Sequence, residues 1–261
     1  MKLKILGCSG GIGPGAYTTS FLINDSILLD AGTGLGNLTL DEMAQITHVF
    51  LTHSHLDHVS HLPFMLNNLI GERPGTVQVY ALPDTLEALR NHIFNNVIWP
   101  DFTQLPSKAS PCVTLHPFEV GESLTIDVLK ITALPADHSV PTLGFWVGNL
   151  QGEGYFAFSG DCGNNTVLWQ ALAELPKVRM LIVDNQYLET EKAISALAKH
   201  YYPQALKADL AQLSYQPQLY LTHLPAYKMA EVLAEAQTVL AHWSPKALET
   251  GQVFTFSGSE A

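Results

Sequence analysis

Cysteine is scarce in this sequence. Cys8, Cys112 and Cys162 are the three among 261 residues, an odd number with no close pair. A disulfide framework and a cysteine-rich zinc site are excluded, and a reducing compartment is implied. Long apolar runs are missing as well. The N-terminal stretch MKLKILGCSGG breaks into glycines after a few residues, too short for a secretory leader or a membrane span. A cytoplasmic protein with no membrane attachment is therefore expected. Basic residues are few: 13 Lys and Arg face 24 Asp and Glu, for a formal charge of -11. That balance gives little grip on a long nucleic-acid backbone, which needs clustered cations, but it permits a small anion held by local charge. There is no low-complexity tract and no repeat of solenoid period. The glycine run Gly7–Gly15 lacks a P-loop lysine and does not match GxGxxG, which excludes a dinucleotide site.

What is present is a large apolar fraction, 47%, against 14% charged residues. This supports a sizeable core and excludes disorder. Alternating and apolar runs predict strands at Lys2–Gly7, Ser20–Ile23, Ser26–Asp30, His48–Thr52, Val77–Ala81 and Thr125–Leu134. More follow at Gly144–Val147, Tyr155–Ser159, Met180–Val183, Leu219–Thr222 and Val253–Phe256. Apolar residues recurring at three and four predict helices over His58–Ile70, Pro83–Phe94, Val167–Leu175, Gln204–Leu213 and Ala226–Ala241. The Pro-rich segment Ile98–Pro111 reads as a long loop. Early strands joined by tight turns and later ones joined by helices point to two packed sheets with helices outside, in a single domain spanning 1–261.

Eleven histidines ask for an explanation. The segment HVFLTHSHLDHVSHLP, from His48 to Pro63, runs an apolar strand directly into His53, His55, Asp57 and His58. In extended chain, residues two apart face the same way, so His53 and His55 can converge on one ion. Asp57 and His58, at a helix start, can serve a second ion. Imidazole and carboxylate are the usual ligands of zinc, manganese and iron at catalytic sites. A two-metal site needs further ligands from distant chain. His138, Asp161 and His223 each follow a predicted strand, and ligands at strand ends gather at one edge of a sheet. One carboxylate, Asp161, could bridge two ions.

These motifs resemble the metallo-β-lactamase superfamily, and within it the class II cyclic-nucleotide phosphodiesterases. The narrower resemblance rests on HSHLDHVSHLP, on LGCSGGIGPGAYTTSFLI, on NHIFNNVIWPDF, and on HYYPQALKADLAQL followed by LYLTHL. It departs at His61, where a small residue is usual, at Asp184 in LIVDNQY, where Glu is usual, and at the displaced Lys228. The resemblance implies an αββα sandwich. It assigns His53, His55 and His138 to one divalent ion and Asp57, His58 and His223 to another, with Asp161 bridging. Zinc is the expected metal, with manganese or iron as alternatives. Asp30, in SILLDAGTG, would support a ligand histidine.

The implied activity is hydrolysis of a 3′,5′-cyclic nucleotide, cAMP or cGMP, to the 5′-monophosphate by a hydroxide shared between the metals. Asp57 and His200 are the candidate catalytic residues, for proton steering and phosphate contact. Asn95, Asn96, Trp99 and Phe102 are candidates for a lid over the base. Two alternatives stand beside this reading: a tRNA 3′-processing nuclease on the same site, and a catalytically silent metal-binding module. The first wants a basic surface that the composition lacks. The expected partner is a small phosphodiester, and a twofold homodimer is the base-rate assembly.

Overall fold

A computed structural model describes residues 1–71, 75–152 and 154–256. In chain order the strands are Lys2–Gly7 (β1), Ser20–Ile23 (β2), Ile27–Leu29 (β3), His48–Phe50 (β4), Val77–Ala81 (β5), Pro106–Ser107 (β6), Ser110–Pro111 (β7) and Val113–Pro117 (β8). Then come Ser123–Ile126 (β9), Leu129–Ala136 (β10), Thr142–Asn149 (β11), Tyr155–Phe158 (β12), Met180–Asp184 (β13), Gln218–Thr222 (β14), Lys246–Ala247 (β15) and Val253–Thr255 (β16). The α-helices are Leu40–Ala44 (α1), Leu56–Val59 (α2), Leu62–Leu69 (α3), Pro83–Ala88 (α4), Thr166–Ala173 (α5), Lys192–Ala198 (α6), Pro203–Leu210 (α7) and Met229–Val239 (α8).

Two seven-stranded sheets form, in the orders β16-β1-β2-β3-β4-β5-β8 and β15-β14-β13-β12-β11-β10-β9. Each starts antiparallel and turns parallel, from β3 onward in the first and from β12 onward in the second. Strand period decides what lies between them, because successive side chains face opposite ways. Phe21, Ile23, Ile27, Leu29 and Phe50 of the first sheet meet Phe145, Phe156, Phe158, Met180 and Ile182 of the second. The alternate residues Leu22, Leu28 and Val49 face outward onto α1, α2, α3 and α4. Likewise Ala157, Leu181, Val183 and Leu221 face α5, α7 and α8. The layers are α-β-β-α, as the sequence implied. Among the described residues no helix is long and apolar enough to cross a membrane.

Several elements differ from their sequence expectation, each for a local reason. The helix expected over His58–Ile70 is two, α2 and α3, parted at Ser60–His61. Pro63 lies in the first turn of α3, where its missing N–H costs nothing; in a continuous helix it would break the hydrogen-bond ladder. The His61 N–H instead donates to the Ala31 carbonyl at 2.9 Å. The strand expected over Thr125–Leu134 is the hairpin β9–β10, turned at Asp127 with φ 51°, a left-handed value that Asp tolerates. The Ile98–Pro111 loop contains the short β6–β7 hairpin. The strands β8 and β15 and the helices α1 and α6 were not expected. Helix α1 carries a reciprocal capping box between Thr39 and Glu42. Helix α6 buries little beyond Ser195 and leaves Ile194 and Leu197 exposed, so it has no clear apolar stripe to read.

Candidate metal centre

Strand ends build the site. Three of them turn through left-handed residues: Asp30 after β3 (φ 59°), Gly160 after β12 (φ 64°) and His223 after β14 (φ 59°). At position 160 a Cβ would lie 2.3 Å from the Leu143 carbonyl oxygen, so glycine is required to swing Asp161 inward. Gly32 has a related role, since a Cβ there would lie 2.1 Å from the Asp57 carbonyl oxygen. The α2 turn can then pack against the β3 end.

The structure brings all seven sequence-predicted ligands together in two groups. His53, His55 and His138 form one; Asp57, His58, Asp161 and His223 form the other. Asp161 Oδ2 is central, 3.1 Å from His58 Nε2, 3.1 Å from His223 Nε2 and 3.8 Å from His53 Nε2. Asp57 Oδ2 stands 3.2 Å from His223 Nε2 and 3.5 Å from His58 Nε2. His138 Nε2 is 3.2 Å from His55 Nδ1.

Surrounding groups set the imidazole tautomers. His58 Nδ1–H donates to Asp30 Oδ2 at 2.7 Å, His53 Nδ1–H to the Thr52 hydroxyl at 2.9 Å, and His138 Nδ1–H to the Lys199 carbonyl at 3.1 Å. With Nδ1 so engaged, each ring turns its Nε2 inward, the atom through which such a histidine binds metal. The Thr52 hydroxyl also donates to the Asp30 carboxylate, 2.9 Å from Oδ2, tying the two sets together. Asp30 thus stands where the resemblance placed it. Thr52 was missed, although it lies directly between strand and first ligand.

Electrostatics divide the cluster. Burial holds His53 well below the usual imidazole range, and burial also lowers His138 and His55, so this group is neutral. Burial pushes His58 and His223 down too, but nearby carboxylates reverse it. Asp161 and Asp30 raise His58 well above its ordinary value, and Asp161 with Asp57 raises His223 to about 10. The pocket therefore draws positive charge strongly, which is the field a divalent cation would answer. His53 Nε2, His58 Nε2 and Asp161 Oδ1 are buried and lack hydrogen-bond partners. Buried polar atoms are rarely left so, and inward-facing imidazole and carboxylate donors suit a metal. The residues fit the group.

His200 stands at the wall of the cluster. Its ring is 4.8 Å from that of His138 and 4.9 Å from that of His223, stacked on the latter. His200 Nδ1–H donates to Asp184 Oδ2 at 2.6 Å. Asp184 ends the apolar strand β13 much as Asp161 comes shortly after β12, and that pattern could have marked it as a site residue. His61 lies outside the cluster, half-buried against Phe64 at a centroid distance of 5.5 Å. The lid candidates are engaged elsewhere: Asn95 accepts from the Val97 and Ile98 N–H groups and Asn96 from that of Asp101. Phe102 is buried in the outer core of the first sheet, and Trp99 packs against the same core.

A family model described as the β-lactamase superfamily domain matches residues 25–243, which include the whole cluster. The chain belongs to the β-lactamase superfamily. It is 28% identical over 254 residues to a probable 3′,5′-cyclic-nucleotide phosphodiesterase of Yersinia pestis, covering 81% of this chain and 72% of that protein. It is also 29% identical over 157 residues to a ribonuclease Z of Azobacteroides pseudotrichonymphae, covering 55% of this chain and 50% of that protein. The crystal structure of unliganded yeast PDE1 superposes with a TM-score of 0.80 at 16% identity, over 97% of this chain and 98% of the other, a likeness of fold. Superfamily membership makes this protein a hydrolase with the metallo-β-lactamase fold, in agreement with the sequence reading.

Proposed function

We propose that this protein is a two-metal phosphodiesterase whose substrate is a 3′,5′-cyclic nucleotide. The observation that carries the reading is the Asp161 carboxylate, set within 3.8 Å of three imidazole nitrogens from both ligand groups. His53, His55 and His138 would hold one ion and Asp57, His58 and His223 the other, with Asp161 between them and zinc the favoured metal. When bound, divalent ions supply charge to neutralise phosphoryl oxygens and acidify water to near-neutral pKa. Both sheets contribute ligands, so we read 1–261 as one domain.

The chain's own groups then handle orientation and protons. Asp57 is the most open of the carboxylates, with 32% of its side chain exposed. The His223 and His58 imidazoles hold it ionised despite burial, so it presents a hydrogen-bond acceptor that can orient an attacking water. His200, oriented by Asp184 through its Nδ1–H, stands against His138 and His223, where its ring can contact the phosphate. The Yersinia relative's name supports a cyclic nucleotide, and the charge of -11 supports a small phosphodiester over a long polyanion.

The test is a substrate panel at defined metal loading: cAMP, cGMP, bis(p-nitrophenyl) phosphate and pre-tRNA. Cyclic-nucleotide turnover to the 5′-monophosphate is expected. Pre-tRNA cleavage without it would replace this reading with the nuclease one, and no metal uptake with no turnover would leave a silent module.

A further inference from the structure

A hollow opens beside the cluster, with a volume of about 520 Å³. That is within the ~300–1,000 Å³ typical of small-molecule sites. It lies among α6, the start of α7 and the turn after β12, and its wall includes Asp137, Asn164, Lys199, His200, Tyr202 and Gln204. Two consecutive residues form the boundary it shares with the cluster. The Lys199 carbonyl accepts from His138 Nδ1, and the His200 ring packs on those of His138 and His223.

The chemistry of the wall selects among occupants. Tyr202 offers a half-buried aromatic ring, with the Lys192 ammonium 5.3 Å from its centroid. Asn164 and Gln204 are exposed, and each amide carries both a donor and an acceptor. Paired donor and acceptor on a flat amide is what reads a base edge, and an aromatic ring is what stacks on a base. The two lysines of the hollow are already paired, Lys199 with Asp137 at 2.7 Å and Lys192 with Glu189 at 3.1 Å. The wall thus presents no unpaired lysine to a second phosphate, which disfavours a polyphosphate or a continuing nucleic-acid strand.

We infer that this hollow is the nucleoside subsite, with Tyr202 as the stacking surface and Asn164 and Gln204 facing the edge of the base. The inference rests on the cyclic-nucleotide reading above and extends it to the residues that set specificity. Substrate lies across the His200 ring, its phosphodiester at the cluster and its base among α6, α7 and Asn164.

Calorimetric titration with adenosine 5′-monophosphate tests it, alongside hydrolysis of cAMP and bis(p-nitrophenyl) phosphate by metal-loaded wild type, Tyr202→Ala and Tyr202→Phe. Loss of one stacking contact corresponds to roughly 5- to 150-fold. Tyr202→Ala should weaken monophosphate binding by that factor and raise the KM for cAMP with little change in kcat. Tyr202→Phe should restore both, and bis(p-nitrophenyl) phosphate turnover should stay at the wild-type level in either variant. If Tyr202→Ala misfolds, the exposed Asn164→Ala takes its place, with several-fold weaker monophosphate binding expected. Unchanged monophosphate affinity in the folded variant, with cAMP turnover intact, overturns the subsite and leaves the phosphodiesterase reading standing. Equal losses on cAMP and bis(p-nitrophenyl) phosphate mark a structural role and also overturn it. Wild type that hydrolyses bis(p-nitrophenyl) phosphate yet neither binds the monophosphate nor turns over a cyclic nucleotide overturns both readings together.

Discussion

The hydroxyl of Thr52 touches both ligand groups, accepting from His53 and donating to the carboxylate that holds His58. Removing it keeps the side-chain volume but frees both imidazoles to turn. Thr52→Val should therefore cost about 10- to 100-fold in metal affinity, read by competition against a chelator, while Thr52→Ser keeps most of it. Asp161→Ala goes further, because one carboxylate serves both groups. Metal analysis should show neither ion retained at stoichiometry, and turnover should vanish; full activity in this variant would refute the assignment. The cysteines follow the opposite logic. Burial pushes the Cys8 thiol up to about 12 and the fully buried Cys162 thiol well above its ordinary value, so neither forms the reactive thiolate at neutral pH. Alkylation of the native protein at pH 7 should label Cys112 alone, and only slowly. Sequence spacing identified His53, His55, Asp57 and His58 because they sit within six positions. It could not identify Thr52, whose role exists only once Asp30 arrives from another strand.

At the scale of elements, ligands sit on pieces shorter than sequence patterns suggest. Helix α2 is a single turn, separate from α3, and carries the buried His58. Its apolar residues nevertheless continue the period of α3, so the break is invisible in the pattern and audible only in Pro63. Helix α5, just beyond Asp161, is anchored by Asn165: its side chain accepts from the Leu168 N–H at 3.2 Å while its own N–H donates to Asp209 at 2.9 Å. Asn165→Ala should cost about 1 kcal/mol of stability in urea unfolding, as loss of a helix cap does. A larger loss would show that the cap also fixes the turn carrying Asp161. Helix α6 escaped notice because its residues contribute a cleft wall rather than core. Periodicity reports burial, and a helix that buries almost nothing leaves no period.

For the molecule as a whole, the inter-sheet core and the site depend on each other. Phe50 is fully buried between the sheets, with its ring 5.9 Å from Phe145 and 5.5 Å from Phe118, three residues before the first ligand. Phe50→Ala should destabilise by about 3–5 kcal/mol in denaturant unfolding, the cost of a large cavity. Because the cluster joins ligands from both sheets, metal should stabilise the folded state by mass action. Chelation should lower Tm and abolish turnover, and restoring metal should recover both; an unmoved Tm would mean that no tightly held ion links the sheets. The sequence by itself determined the sandwich and picked out the seven His and Asp side chains that the fold brings together. Strand period and strand-end His and Asp are local signals, and both survive in a linear string. Only the tertiary structure decided which carboxylate orients which imidazole, that Asp184 pairs with His200, and that α6 and α7 leave a cleft beside them. Those depend on distances between residues far apart in the chain, set by packed strands rather than by neighbours in sequence.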